Sequence, residues 1–201
     1  MRSVLASLAA LGVALATTAA PADGIYSQNP LPGVADFSGA EVGLDFGAAM
    51  GTSGPVNTSG MAVGFNAGYN LQNGPIVGGI AGDALFGDIS GGASNASSYS
   101  YSSLSSARVH AGYAMGPLLV FGSLGGAYST SKQTLPTGFS DKYLGGYVLG
   151  IGAEYAVARN VSLRAEFSHY DFGDVTYYAP PTPTTVGVTL NLITLGVAAH
   201  F

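Results

Sequence analysis

Three histidines, His110, His169 and His200, stand beside eleven carboxylates and six basic residues in a chain of 201 residues without cysteine. Thiolate catalysis and Cys-type zinc sites are therefore excluded. The densest constellation is Ser168-His169-Tyr170-Asp171, whose residue types are those of a serine hydrolase. In extended chain, however, Ser168 and His169 point to opposite faces, so the imidazole cannot take the hydroxyl proton. Asp171 and Asp174 bracket Gly173 as a calcium loop would, but the usual acidic spacing and terminal Glu are missing. That stretch reads as a turn. The histidines fall on separate segments and compose no metal motif, and no haem ligand can be nominated.

A second set is scattered: Glu41, Asp45, Asp83, Arg108, Glu154, Arg164 and Glu166. It has the chemistry of a proton relay, a selectivity ring or a group of buried ion pairs, according to where the side chains point. The surrounding segments decide this, because their apolar residues recur with period two. In Gly60–Gln72, Met61, Val63, Phe65, Ala67, Tyr69 and Leu71 oppose Ala62, Gly64, Asn66, Gly68, Asn70 and Gln72. The same alternation runs through Phe37–Ala49, Ala107–Tyr113, Tyr147–Tyr155 and Val161–Phe167, and less regularly through Ile76–Phe86, Leu118–Tyr128 and Val186–Phe201. All seven charges fall on the face opposite the large apolar side chains.

Which face meets water follows from composition. Only 8% of residues are charged, against ~25% in a soluble chain. A soluble barrel with its apolar face around a ligand would need a far more charged exterior. Beyond the N-terminus no apolar run approaches the ~20 residues of a spanning helix. A closed barrel is then the way to satisfy every backbone group in lipid. Tyr69, Tyr113, Tyr147 and Tyr155 lie near strand ends on the apolar face, where an interfacial girdle belongs; His169 is placed at the same headgroup level. Short connections (Asn73-Gly74-Pro75, Met115-Gly116-Pro117, Ala158-Arg159-Asn160) alternate with longer polar stretches (Gly51–Ser59, Asp88–Ser103, Ser129–Asp141, Gly173–Thr184). This predicts an all-β, eight-stranded antiparallel up-and-down transmembrane barrel with periplasmic turns and four surface loops. The Ser- and Tyr-rich Ile89–Leu104 suits either an adhesive or a merely solvated loop. An eight-stranded lumen admits only side chains, so the inward charges are expected to fill it as hydrogen-bonded ion pairs. A net charge of −5 excludes nucleic acid as a partner.

The first residues read as an export signal. Met1-Arg2 precedes an apolar core, Val4–Ala16, and Ala20-Pro21-Ala22 gives a small-residue cleavage pattern before Asp23. Residues 1–22 are expected to be removed, 23–36 to form a Pro-containing periplasmic lead-in, and 37–201 to form the barrel.

The last residues resemble the terminal-strand signal read by the barrel assembly machinery: Thr194, then Gly196, then hydrophobic residues ending at Phe201. The segments Val63–Asn70, Gly79–Asp83, Ala107–Tyr113, Gly150–Tyr155 and Asn160–Phe167, continuing through Tyr170-Asp171-Phe172-Gly173, are similar in type and order to the small outer-membrane β-barrel proteins of alpha-proteobacteria. These are often described as outer-membrane immunogenic or porin-family proteins. The tryptophans frequent in such proteins are absent here. The resemblance covers Phe37 to Phe201 and implies an abundant Gram-negative envelope protein without one shared chemistry. Structural, adhesive and haem-binding roles are all known in the family. Lipid A deacylases are also small barrels, but their histidine–serine motif is not found in this sequence. The expected function is non-enzymatic, with no cofactor. The protein would contribute to envelope integrity in the outer membrane, among its lipids and lipopolysaccharide, with an unidentified loop ligand. A small-solute pore and a lipid A-modifying hydrolase are the alternatives.

Overall fold

Two-residue periodicity needs a partner on both edges of every strand, and in lipid only closure provides it. The computed structural model describes residues 32–54, 56–92, 98–135, 138–179 and 182–201. They form eight strands: β1 (Gly39–Ser53), β2 (Val56–Asn73), β3 (Ile76–Gly92), β4 (Ser98–Met115), β5 (Leu118–Leu135), β6 (Gly138–Ala158), β7 (Val161–Ala179) and β8 (Thr182–His200). Each pairs antiparallel with the next, and β8 returns to β1, closing the barrel. The fold is the eight-stranded antiparallel barrel expected. The export signal, with Ala20 and Ala22, and residues 23–31 of the lead-in lie outside the described residues.

Turn chemistry sets the register at one end. Gly74 and Gly116 take φ of 60° and 63° and are each followed by proline. Two-residue hairpins need positive φ at their first central position, and a proline at the second is compatible with type II′ rather than I′. Together with Arg159-Asn160, these turns and both ends of the barrel domain define a terminal rim. The opposite end is the distal rim.

Pairing from Met50 through Asn191, His169, Leu149, Leu124, Val109, Ile80 and Tyr69 comes back to β1 at Ala40, ten residues lower. With ~3.3 Å per residue and ~4.8 Å between strands, that offset tilts the strands by ~40° and gives a backbone radius of ~8 Å. A cylinder this narrow is filled by its own side chains.

Outward positions carry the apolar belt. Leu44, Val63, Phe65, Ile80, Leu124, Ile151, Leu163 and Leu195 are all exposed on the outer wall. An uninterrupted belt of this kind is untenable in water and natural in lipid. Tyr69, Tyr113 and Tyr155 border it toward the terminal rim. Tyr128 and Tyr147 border it toward the distal rim, with Tyr143 stacked on Tyr128 at 5.8 Å between ring centroids.

Two expectations are corrected. The four long loops are largely strand: Ser53 pairs with Val56, so Gly51–Ser59 is a tight hairpin, and β3 to β8 likewise continue through most of the other three stretches. The ladder persists because inward residues stay apolar past the belt, as with Val56, Ile89, Val175, Val186 and Val188, while polar residues such as Asn57, Ser59, Asp88 and Ser90 face out. Second, Asp171–Asp174 is a bulge within β7 rather than a turn. The register with β8 slips between Asp171 and Asp174, Gly173 takes φ of 64°, and its N–H donates to the Asp171 Oδ1 at 2.8 Å.

Candidate functional site

Strand parity sends Glu41 and Asp45 (β1), Asp83 (β3), Arg108 (β4), Glu154 (β6), and Arg164 and Glu166 (β7) into the lumen. Two guanidinium groups pair with four of the five carboxylates there.

Arg108 holds the middle of the barrel. It pairs with Asp83 and, at 2.5 Å, with Glu166. Ser106 donates to Asp83 Oδ1 at 2.5 Å, and Ser123 to Glu166 Oε1 at 2.9 Å. Asp45 stands beside this pair and accepts from Asn66 Nδ2 at 2.7 Å. No cation contacts it among the described residues. Charge-assisted bonds of this kind are the strong ones, and the low dielectric of the interior strengthens them.

Arg164 holds the level toward the terminal rim. Its Nη2 lies 3.0 Å from Glu41 and 3.2 Å from Glu154, and its guanidinium sits 5.1 Å from the centre of the Phe121 ring. Asn70 donates to Glu41 at 3.1 Å and faces His110 at 2.7 Å. Glu41, Glu154 and His200 converge closely enough to share a metal ion. Arg164 already supplies a cation between the two glutamates.

Ser162, His200 and Glu154 also assemble a serine, a histidine and an acid that sequence reasoning did not bring together. Ser162 Oγ lies 2.9 Å from His200 Nε2, and Glu154 Oε1 lies 2.9 Å from the same nitrogen. A nucleophilic triad needs the acid on the other nitrogen. Here serine and acid compete for one, and His200 Nδ1 has no partner. The group is buried inside the barrel, away from any acyl chain in the bilayer. Ser168 is likewise internal, whereas His169 faces outward to Asn191 Oδ1 at 2.7 Å, so the two do not meet.

Apolar layers close both ends of the charged zone. On the distal side Leu85, Leu104, Leu144, Val148, Leu190 and Leu192 pack around Tyr170, which stacks on Phe172. At the terminal rim, Phe37 packs with Val77, Ala114, Leu119 and Phe121, backed by Val34 and Ala35. Gln72 fixes that entering chain: its Nε2 donates to Ala35 O at 3.1 Å, and the Ala35 N–H donates to Gly116 O at 2.8 Å. The inward parity of Gln72 was legible, but its long-range partners were not.

The three residues of the terminal-strand motif occupy different places. Thr194 borders the central lumen. Gly196 lies opposite Asp45, and a Cβ there would overlap the Asp45 carboxylate. Phe201 exchanges backbone hydrogen bonds with Ala40, 2.9 Å and 3.2 Å, and its side chain is exposed.

Comparison with known proteins agrees with this architecture. Residues 6–201 match the outer membrane protein beta-barrel domain family. The chain is 31% identical to the 31 kDa outer-membrane immunogenic protein of Brucella melitensis, over 86% of this chain and 88% of that one. It is 33% identical to the 22 kDa outer membrane protein of Rhizobium leguminosarum bv. viciae, over 67% and 63% respectively. Among solved structures it superposes on Neisserial surface protein A with a TM-score of 0.56 at 19% identity, covering 82% of this chain and 98% of that one. Ail of Yersinia pestis gives a TM-score of 0.53 at 13% identity, covering 82% and 99%. The chain therefore belongs to the outer-membrane β-barrel domain family and is an outer-membrane protein of the Gram-negative envelope.

Proposed function

We propose that the protein is a sealed, non-catalytic barrel that contributes to the integrity of the outer membrane and displays its distal rim outside the cell. One observation carries this reading: the lumen is filled in succession by the Phe37 layer, the Arg164 and Arg108 networks and the Tyr170 layer. Passage of a sugar or amino acid would require breaking buried charge pairs, each uncompensated ion costing several kcal/mol. The tyrosine-bordered belt suits outer-membrane lipids on one side and lipopolysaccharide on the other. Thr194, Gly196 and Phe201 are read as the signal for the barrel assembly machinery. The Brucella relative is described as immunogenic, which fits display of the distal hairpins.

The test combines planar-bilayer recording and liposome swelling of refolded protein with growth of a deletion strain under detergent stress. No sustained conductance, together with a detergent-sensitive deletion strain, supports the proposal. Steady large conductance with sugar permeation would replace it with the pore. Lipid A deacylation lost on substitution of Ser162 or His200 would replace it with the hydrolase.

A further inference from the structure

The two tyrosine borders of the apolar belt are built differently. On the terminal side the rings stand among large apolar partners. Tyr113 is paired with Ile76 and Val120, and Tyr155 with Leu118 and Leu163. On the distal side, between β5 and β6, Tyr128 is paired with Gly145 and Tyr147 with Gly126. An aromatic ring opposite a strand glycine can fold over it and cover the bare backbone. Neither ring does so here. A Cβ built on Gly126 or on Gly145 would meet no atom within 4 Å.

Each ring is held away by another partner. Tyr147 donates its hydroxyl to Asp171 Oδ2 on β7 at 3.0 Å. Tyr128 stacks on Tyr143, with 5.8 Å between ring centroids and 19° between their planes. The outer wall therefore carries a cleft with a glycine floor, bordered by the Tyr128–Tyr143 stack and by Tyr147 with its carboxylate. The three tyrosines are 48%, 71% and 49% exposed in chain order, so their rings are open to a ligand. Asp171 Oδ1 accepts the Gly173 N–H, so the β7 bulge fixes the carboxylate at the edge of the cleft.

We infer that this cleft binds the sugar headgroup of an outer-leaflet glycolipid, the glucosamine disaccharide of lipid A. A sugar ring presents C–H bonds on its faces and hydroxyls around its edge. It fits aromatic rings beside a carboxylate that accepts from O–H groups. Bare glycine lets such a ring approach the backbone closely. The cleft lies at the distal border of the belt, where headgroups rather than acyl chains meet the wall. Its acidic edge favours hydroxyl donors over phosphate, so the sugar and not its phosphates is recognised. The inference rests on the proposed orientation, with the distal rim outside, because lipopolysaccharide occupies the outer leaflet. It does not depend on a sealed lumen.

The experiment adds lipid A to protein refolded in lauryldimethylamine oxide, a detergent without sugar, and counts bound lipid by native mass spectrometry. One lipid A per barrel is expected, retained when its phosphates are removed and not replaced by phosphatidylethanolamine. Gly126→Leu fills the floor with a side chain that suits the belt, and should weaken binding about tenfold. Asp171→Asn, which keeps the shape of the side chain, should also weaken it. Tyr113→Leu, on the other border, should not. Heat-modifiable gel mobility verifies that each variant is folded. Absence of a stoichiometric adduct overturns the inference, as does equal retention of phosphatidylethanolamine, equal binding by Gly126→Leu, or complete dependence on the phosphates. Orientation is read separately by Asn57→Cys, an exposed distal position in a chain without cysteine. A maleimide too large for porins should label it on intact cells. Labelling only after lysis overturns the orientation and the glycolipid with it, whereas surface labelling without a lipid A adduct overturns the inference alone.

Discussion

The backbone N–H of Phe37 donates to the side-chain oxygen of Gln72 at 2.7 Å, bolting the chain that enters β1 across the terminal mouth of the barrel. Phe37 is 1% exposed although it precedes the first strand. Phe37→Ala should therefore cost about 3–5 kcal/mol, the range for emptying a buried aromatic site. Gln72→Ala should cost about 1–3 kcal/mol by orphaning a buried donor. Urea unfolding in detergent, with hydrogen–deuterium exchange of the Ala35 and Phe37 amides, measures both. Unchanged midpoints would show that the plug contributes nothing to stability.

Arg164 serves two glutamates at once, so its removal exposes both. Arg164→Met is expected to lose on the order of 3–5 kcal/mol, and less where water reaches the site. Adding Glu154→Gln to that variant should restore part of the loss, because the second change removes one stranded charge. A double-mutant cycle by equilibrium unfolding reads this directly. A fully additive pair would mean that Arg164 and Glu154 do not interact.

Gly196 separates two explanations of one residue. As part of an assembly signal, it would matter only in cells. As the neighbour of the Asp45 carboxylate, it matters in any folded barrel, because a methyl group would displace that carboxylate. Gly196→Ala should lower stability by about 1–3 kcal/mol after refolding in detergent, where no assembly machinery is present. A variant that refolds with wild-type stability but fails to reach the outer membrane would restore the signal explanation alone.

Export makes its own prediction. The protein recovered from outer membranes should begin at Asp23, and Ala22→Phe should retain the precursor. Intact-mass measurement checks it, and a mature form still carrying Met1 would refute cleavage.

Much of the architecture was legible because lipid imposes an unusually regular code. Val63, Phe65 and Ala67 face out and Gly64, Asn66 and Gly68 face in, so parity alone allots each side chain to a wall. The code weakened wherever both faces are apolar. In Leu190-Asn191-Leu192-Ile193 the buried leucines face in, while Asn191 and Ile193 face out. Polarity there reads backwards, which hid the apolar layer under the distal rim. Loop length was overread for a related reason. Serine and threonine mark loops by composition, yet beyond the belt they serve as outward strand residues over an inward row such as Val186 and Val188. The meeting of Ser162, Glu154 and His200 depends on the registers between β6, β7 and β8, and no short motif records a register.

Closure of the sheet also decides which contact forms last. Seven of the eight strand pairings join neighbours in sequence through connections of a few residues, whereas the seam brings Glu41 beside His200. Loop-closure entropy makes the hairpins quick to form and leaves the seam until the rest of the sheet has curled round. Until that moment β1 and β8 are bare edges, each able to accept a strand from another polypeptide. Because the period of a strand is two, a slip of one residue at the seam would turn the inward row of one wall out into lipid. The Asp45 carboxylate facing Gly196, and the hydrogen bonds between Ala40 and Phe201, thus mark the alignment of the two edges in which the cylinder closes with its charges inside.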